Sequence, residues 1–517
     1  MPINLYAVYR ISVYYLIIPI LIFFLGWLRI GIGIILSLLL LLATNAFLKQ
    51  IRNTGGNDKP FYLSKEYYIA LFVLFIFLLS TGNTGFVGSW GTDIPWRNAI
   101  YQDLIHQKWP VIYDYSNSML CYYMVFWLVP AEIASLLDLN EIGSNIVLFL
   151  WMYVGLILIF FLLCDVLKPN KEHVILLTLI FLFFSGINTF GMILKSFLLK
   201  PALLISNYPC ADSWSFSELN INGVDYVYRL RTIFLCIADV YNQFFALAVS
   251  TLLFFRFRKK VNYYAFICLL SLPYSPIGFI GLFCVVALEF IVNLLNNRNK
   301  FRDYLRKSFS QINILCIFSI VPIFYLYFSM NFYAKNYNYS NGGNYLFLTA
   351  AQYNADSIAL LILYYYLYFL IYALLIQNEN KHESLYWIVL ICLLIFPFFK
   401  VGSGIDFNLN ASMSPYFILM ILILRHLLSC LKTKHFAVKD LVLVFCLSVA
   451  MLTPLIQILT SFRAAYINNS ISYKWTPWRE ELLMNSFKDK EIEGFRNFMA
   501  QDYDRQIFFK YFSKQVR

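Results

Sequence analysis

Long apolar runs dominate the chain. Runs of roughly 18 or more apolar residues recur from Ile11 to Thr460, separated by short polar segments. They predict membrane-spanning helices, whereas a β-barrel would show short segments of alternating polarity. The pattern therefore predicts an all-α polytopic membrane protein. About thirteen helices are expected to span the membrane, at residues 11–28, 31–48, 67–86, 144–166, 174–190, 232–256, 263–275, 277–295, 311–330, 356–376, 386–400, 415–430 and 440–460.

Composition agrees with this pattern. The 517 residues are 60% hydrophobic and 13% charged, against about 25% charged in soluble globular proteins. The net charge of +12 favours cytoplasmic loops rich in Lys and Arg over a nucleic-acid partner. Most of the 10 cysteines fall inside apolar runs without a CxxC pair or a recognised Cys/His metal spacing. We interpret them as packing residues.

The distribution of Lys and Arg predicts the orientation. An N-terminus in the cytoplasm places RFRKK (256–260) inside, as the positive-inside rule favours. The C-terminus is then outside. The apolar run Met119 to Leu137 cannot cross the membrane in this arrangement, so residues 117–137 are expected to form a helix at the outer interface. We expect a multi-pass protein of the bacterial inner membrane.

Three regions follow from this topology. Residues 1–66 hold two N-terminal spans and a cytoplasmic loop, and residues 67–460 hold the transmembrane core with a large outer loop at 87–143. Residues 461–517 form an extracytoplasmic tail that mixes charged and aromatic residues, which is typical of a small folded or docked appendage.

The outer loop carries the segment GTDIPWRNAIYQDLIHQKWPVIYD (91–114). Asp93 before Ile94-Pro95 is a favourable helix start. Trp96, Ile100 and Leu104 recur every four residues, which predicts an amphipathic helix over 94–108 along the outer interface. Asp93 would then lie at the rim of the bilayer, where it acts either as a catalytic carboxylate or only as a helix cap.

This layout resembles the GT-C superfamily of polyprenyl-phosphate-sugar-dependent membrane glycosyltransferases, in which the first outer loop after the first core helix holds a catalytic acid. The segment is also similar to uncharacterised bacterial multi-spanning proteins of this type at Asp93, Asn98, Ala99, Leu104 and Trp109-Pro110-Val111. Further similarity lies in LPYSPIG (272–278) and GIDFNLNASMSP (404–415). The two helices at 11–48 and the absence of an acidic neighbour to Asp93 depart from the family pattern.

The resemblance implies inverting transfer of a sugar from a polyprenyl phosphate donor to a glycan, lipid or protein acceptor. Asp93 would deprotonate the acceptor hydroxyl, with Asp103 or Asp114 as a second acid. Arginine would stabilise the leaving phosphate. The candidate substrate-binding residues are Arg97, His106, Trp109, Arg229, Arg231, Asp239 and Asp406. No cofactor is expected, and a divalent cation is disfavoured because Asp93 has no acidic neighbour.

Purely structural roles are an alternative explanation for several of these residues. Asp103 and His106 lie one turn apart, which is typical of a polar pair on the solvent-exposed face of a helix. Helix-end arginines such as Arg229 and Arg231 commonly extend to the interface without binding a ligand. Asp239 falls inside the predicted span 232–256, where an ionisable group indicates either a functional site or a polar contact between helices.

Two other functions stay open. A repeat-unit polymerase or ligase for O-antigen or capsule would carry Arg in a late outer loop, and residues 331–355 contain none. A lipid-linked sugar flippase or transporter would show two similar halves, and no internal repeat is evident. The absence of a GxxxxGK[ST] segment disfavours a nucleotide-driven pump.

Overall fold

The computed structural model describes residues 2–54, 61–82, 94–189, 218–221, 224–227, 229–296, 301–332, 355–399, 406–467 and 497–515. These residues are mostly helical. Eight helices are long and apolar enough to cross a membrane, as a polytopic membrane protein requires.

The helices differ widely in length, and several predicted spans are built from short or broken pieces. They are α1 Leu5–Trp27, α2 Ile30–Thr54, α3 Lys65–Ser80, α4 Ile94–His106, α5 Leu128–Leu136, α6 Glu141–Leu167, α7 Val174–Leu182, α8 Ile233–Ala238, α9 Tyr241–Phe257, α10 Tyr264–Leu269, α11 Pro276–Asn296, α12 Phe301–Ser308, α13 Gln311–Phe328, α14 Ala355–Tyr365, α15 Ile371–Asn380, α16 Ser384–Ile395, α17 Asp406–Ala411, α18 Met413–Thr433, α19 Val438–Ala450 and α20 Leu452–Ile467. A π-helical turn, Tyr366–Leu370, joins α14 to α15.

Short strands among the described residues form three small antiparallel sheets. They are β1 Pro2–Ile3, β2 Phe61–Tyr62, β3 Ile112–Tyr113, β4 Ser118–Leu120, β5 Glu218–Ile221, β6 Val224–Val227 and β7 Met499–Gln501. β1 pairs with β2, and β5 pairs with β6. The third sheet has the order β3-β4-β7, so the C-terminal segment adds a strand to the hairpin that follows α4.

The predicted interfacial helix 117–137 is not one helix. Strand β4 comes first, a 3-10 turn covers Val125–Trp127, and only the 9 residues of α5 are α-helical. A helix of that length is too short to cross a bilayer on its own. Residues 124–131 are buried, because α5 packs against α4 and α6 inside the protein.

The bundle has two ends. At each end, segments that the predicted topology places on the same side of the membrane contact one another. At one end, Arg256 contacts Asp165 at 2.9 Å and Lys432 Nζ donates to the Lys168 carbonyl oxygen at 2.9 Å. At the other end, the backbone N–H of Arg29 donates to the Phe512 carbonyl oxygen at 2.8 Å. The C-terminal segment is therefore on the same side as the turn between α1 and α2.

Glu383 joins two arginines at the Arg256 end. Its carboxylate forms ion pairs with Arg258 and Arg425. Burial raises the pKa of Glu383, but the hydrogen bonds and positive charges of both arginines outweigh burial and hold that pKa below its usual range. The ionised carboxylate thus links the end of α9 to α18 across the start of α16.

A close contact between helices sets the position of α17. A Cβ atom on Gly281 of α11 would lie 1.8 Å from the Ala411 carbonyl oxygen. Only glycine at this position lets α11 lie so close to the backbone of α17. Because α17 carries Asn408 and Asn410, this packing also positions polar side chains discussed below.

Gly281→Ala should lower the thermal unfolding temperature, because the added methyl group forces the two helices apart. Overpacking of this kind costs about 1–3 kcal/mol. The matched control is Gly31→Ala, since a Cβ on Gly31 meets nothing within 4 Å. Thermal unfolding of both purified variants in detergent checks the prediction, and equal stability of the two would contradict the tight contact.

Candidate functional site

The predicted span 232–256 breaks at Asp239. Helix α8 ends at Ala238, Asp239 caps it, and α9 begins at Tyr241. Val240 adopts φ −128° and ψ 37°, which interrupts the helical path. A single apolar helix was predicted here because the sequence contains neither Gly nor Pro at the break. The break places the Asp239 carboxylate at a helix junction.

Two arginines from distant segments meet the Asp239 carboxylate. An Nη1 atom of Arg97, in α4, lies 3.2 Å from Oδ1 of Asp239. Nε of Arg231, just before α8, lies 3.7 Å from Oδ2. The three side chains form what we call the ion cluster, and all three were candidate substrate-binding residues.

Local structure holds Arg231 in place. Thr232 is the N-cap of α8, and its hydroxyl oxygen accepts a hydrogen bond from the Leu235 backbone N–H at 3.0 Å. The same hydroxyl donates to Oε1 of Gln457 at 2.7 Å. This anchors the start of α8 to α20 and fixes the chain from which the Arg231 side chain extends.

Side-chain amides from α17 extend the ion cluster. Nη1 of Arg231 donates to Oδ1 of Asn410 at 2.7 Å. Nδ2 of Asn408 donates to the Arg229 carbonyl oxygen at 3.3 Å and lies 3.2 Å from the Tyr364 hydroxyl oxygen. Amides and guanidinium groups together provide donors and acceptors suited to a sugar phosphate.

The ion cluster is buried but not sealed. Side-chain exposure is 4% for Arg97, 10% for Arg231 and 27% for Asp239. Buried charges require partners because desolvation is costly. Asp239 is the most exposed of the three side chains.

Helix α4 is buried more completely than the sequence predicts. An amphipathic helix with one polar face was expected, but Arg97, Asn98 and Asp103 are all buried. The C-terminal segment contributes to this burial, since the Trp96 ring stacks on Phe498 with centroids 6.0 Å apart. The polarity pattern of α4 alone cannot predict this burial, because the covering residues come from a distant part of the chain.

Asp103 and His106 have separate surroundings. Oδ2 of Asp103 accepts a hydrogen bond from the Tyr113 hydroxyl at 2.6 Å, and its Oδ1 accepts one from Nε2 of Gln107 at 3.2 Å. His106 is exposed at the end of α4. The contacts of Asp103 tie α4 to β3, which suits a positioning role.

Trp109 packs against the C-terminal end of α1. Its ring lies 5.4 Å from that of Trp27, and its Nε1–H donates to the Leu104 carbonyl oxygen at 2.9 Å. Gly26 makes room for this ring, since a Cβ there would lie 2.6 Å from it.

A cavity of about 640 Å³ adjoins Trp109. Its lining comes from α1, the end of α4 with Lys108, α5, and Lys514 and Gln515 of the C-terminal segment. Along α4, Leu104 in this lining is roughly 10 Å from Arg97. The cavity and the ion cluster therefore occupy different ends of the same helix.

The remaining candidates are Asp93, Asp114, Arg229 and Asp406. Asp93 and Asp114 stand on either side of α4 in the sequence, and Asp93 lies outside the described residues. Asp114 starts a 3-10 turn after β3. Arg229 is half-buried, and Asp406 is exposed at the first residue of α17.

Asn408 and Asn410 stand close in sequence to the candidate Asp406, and Asn410 contacts Arg231. A second group of polar residues was not predicted from the sequence. His426, Cys430 and Asp440 lie together at the Arg256 end of the bundle. The four-residue spacing of His426 and Cys430 on one helix was the available signal for that second group.

Comparisons of the chain with protein-family models, with curated proteins and with solved structures find no match.

Asp239→Asn should destabilise the protein, because it removes the negative charge that Arg97 and Arg231 both contact. Breaking a fully buried pair costs about 3–5 kcal/mol, and the 27% exposure of Asp239 makes a smaller loss the expectation. The control is Asp303→Asn, an exposed carboxylate in α12. The prediction is checked by comparing the unfolding midpoints of the purified variants. An unchanged midpoint for Asp239→Asn would show that the ion cluster does not stabilise the fold.

Proposed function

We propose that this protein is a GT-C-like membrane glycosyltransferase. In this proposal it moves a sugar from a polyprenyl phosphate carrier to an envelope glycan, lipid or protein acceptor on the outer face of the inner membrane. The reaction is an inverting transfer without a covalent intermediate on the enzyme.

One observation carries the proposal. Arg97 and Arg231 converge on Asp239 at a helix break, with Asn410 in contact with Arg231. Helix breaks that expose backbone and charge inside a bundle are places where membrane proteins bind polar substrates. Guanidinium groups match the geometry of phosphate oxygens. The anionic end of a lipid carrier is thus the ligand class that fits this chemistry.

The proposed roles follow from position and charge. Asp93 immediately precedes α4 in sequence, four residues before Arg97. Its carboxylate takes the proton of the acceptor hydroxyl while the oxygen attacks the anomeric carbon. The bond from that carbon to the phosphate oxygen breaks, and polyprenyl phosphate leaves with the electron pair. Arg97 and Arg231 stabilise the charge on the leaving phosphate, and Asp239 orients them.

The proposal also keeps about thirteen membrane crossings. Beyond the eight long apolar helices, the predicted spans that contain α3, α7, α8 with α9, α10 and α16 would supply the other five. Short and broken helices are tolerated inside a membrane where neighbouring protein covers them. Burial of α8 and of most of α9 agrees with such cover.

A flippase or transporter for a lipid-linked sugar is the second candidate. The break at Asp239 favours it, because discontinuous helices commonly form the substrate sites of transporters. Such a protein would need the ion cluster but no catalytic base. A repeat-unit polymerase or ligase would also use a base and is distinguished by its products, which grow in steps of a whole repeat unit.

Asp93→Asn should reduce sugar transfer by at least about 100-fold, the usual contribution of a general base. The assay uses membranes that contain the protein, a set of radiolabelled polyprenyl-phosphate hexoses and pentoses, and extraction of labelled products. Membrane abundance of the variant should equal that of the wild type. Arg231→Ala should instead weaken binding of polyprenyl phosphate, measured by thermal shift.

The two substitutions separate the candidate functions. If the Asp93→Asn variant transfers sugar at the wild-type rate, Asp93 is a helix cap and not the catalytic base. Donor translocation into vesicles that survives Asp93→Asn but not Arg231→Ala would favour the transporter. Asp303→Asn serves as the control in both assays, since its exposed carboxylate lies in α12.

Cysteine labelling tests the proposed orientation. The nine cysteines among the described residues are buried or half-buried, and Cys210 is replaced by Ser to lower the background. Asp93→Cys should react with a membrane-impermeant maleimide on intact cells, whereas Lys259→Cys should react only after permeabilisation. The reverse pattern would invert the topology and place the ion cluster on the cytoplasmic side.

A further inference from the structure

A second polar group lies at the Arg256 end of the bundle, far from the ion cluster. His426 and Cys430 stand one turn apart on α18, and Asp440 lies in the first turn of α19. All three are buried. Along α18, Met413 and His426 are separated by roughly 20 Å, and α17, with Asn410, lies beyond Met413. This group is therefore independent of the proposed glycosyl transfer.

The three side chains present one ligand atom each to a common point. Their ligand atoms all lie within 4.8 Å of one another. Nε2 of His426 is 2.8 Å from Oδ1 of Asp440 and 3.7 Å from Sγ of Cys430. Zinc bonds of about 2.0–2.3 Å in tetrahedral geometry separate ligand atoms by roughly 3.3–3.8 Å. A small opening of the His426–Asp440 contact would reach that spacing.

Surrounding groups orient the ligands. Oδ2 of Asp440 accepts a hydrogen bond from the Ala437 backbone N–H at 2.8 Å, which fixes the carboxylate at the start of α19. Nδ1 of His426 faces Oε2 of Glu379 at 3.8 Å. A carboxylate behind the second ring nitrogen is typical of histidines that bind zinc, because it selects the tautomer that coordinates. Lys439 forms an ion pair with Glu379 and holds that carboxylate.

The donor types select the metal. Imidazole nitrogen, thiolate sulfur and carboxylate oxygen together suit Zn²⁺ better than Mg²⁺ or Ca²⁺, which prefer oxygen ligands. A thiolate and a carboxylate also balance the charge of a divalent ion in a buried place. A purely structural hydrogen bond between His426 and Asp440 would not require the Cys430 thiol beside the imidazole, whereas a zinc site uses all three groups.

We propose that His426, Cys430 and Asp440 bind a zinc ion, with a water molecule in the fourth position. The ion would connect α18 to α19 and clamp this end of the bundle. Because the ion lies far from the ion cluster, it would take no direct part in the proposed glycosyl transfer.

Zinc titration of the full-length protein in detergent, after treatment with a chelator, tests the site. We expect about one zinc per chain for the wild type, and at least about tenfold weaker binding for Cys430→Ser and for His426→Gln. Cys446→Ser is the matched control, because Cys446 is a cysteine of α19 outside the group. Size-exclusion chromatography shows whether each variant keeps its fold.

Cobalt substitution supplies a second readout that does not depend on stability. Co²⁺ bound to the wild type should give a near-ultraviolet thiolate-to-cobalt charge-transfer band that Cys430→Ser lacks. Zinc binding that is equal in the wild type and both ligand variants would overturn the proposal. So would a wild type that binds no zinc and gives no such band, which would leave His426 and Asp440 as a hydrogen-bonded pair.

Discussion

A buried guanidinium group requires charged or hydrogen-bonding partners, and this requirement organises one end of the molecule. Arg97 and Arg231 both meet that requirement at Asp239, although Arg97 and Asp239 are 142 positions apart in sequence. The helix therefore breaks where the carboxylate must face both arginines. Without the break, α8 and α9 would continue as one apolar span, and the two arginines would lie buried without this carboxylate.

The surrounding structure supports this end of the bundle. Gly281 allows α17 to approach α11, so that Asn410 reaches Arg231. The C-terminal segment adds strand β7 to β4, and its Phe498 covers Trp96 of α4. At the opposite end, Glu383 joins two arginines, and His426 pairs with Asp440. Each end thus has its own polar group, and the apolar lengths of the helices separate them.

The sequence predicts the helices well where apolar runs are long. The predicted spans 31–48 and 144–166 fall inside long helices, and 11–28 does so except for Leu28, because about 20 apolar residues in a row favour one long helix. The start of α4 at Ile94 agrees with the predicted helix start after Asp93. Among the described residues of the tail, 499–501 pair with β4, and Phe512 and Lys514 bond to the chain around the turn after α1.

Long-range contacts account for what the sequence could not predict. The break at Asp239 has no Gly or Pro signal, since it depends on arginines elsewhere in the chain. The burial of Asn98 and Asp103 likewise depends on neighbours that no local pattern identifies. Candidate residues Arg97, Arg231 and Asp239 were selected one by one for their charge, and only the fold shows that they contact one another.

A structure of the protein with bound polyprenyl-phosphate sugar tests the central claim most directly. The account predicts that the phosphate lies within hydrogen-bonding distance of the Arg97 and Arg231 side chains, with the anomeric carbon facing Asp93. A phosphate bound instead beside Lys108 and Lys514, in the cavity at the other end of α4, would contradict it.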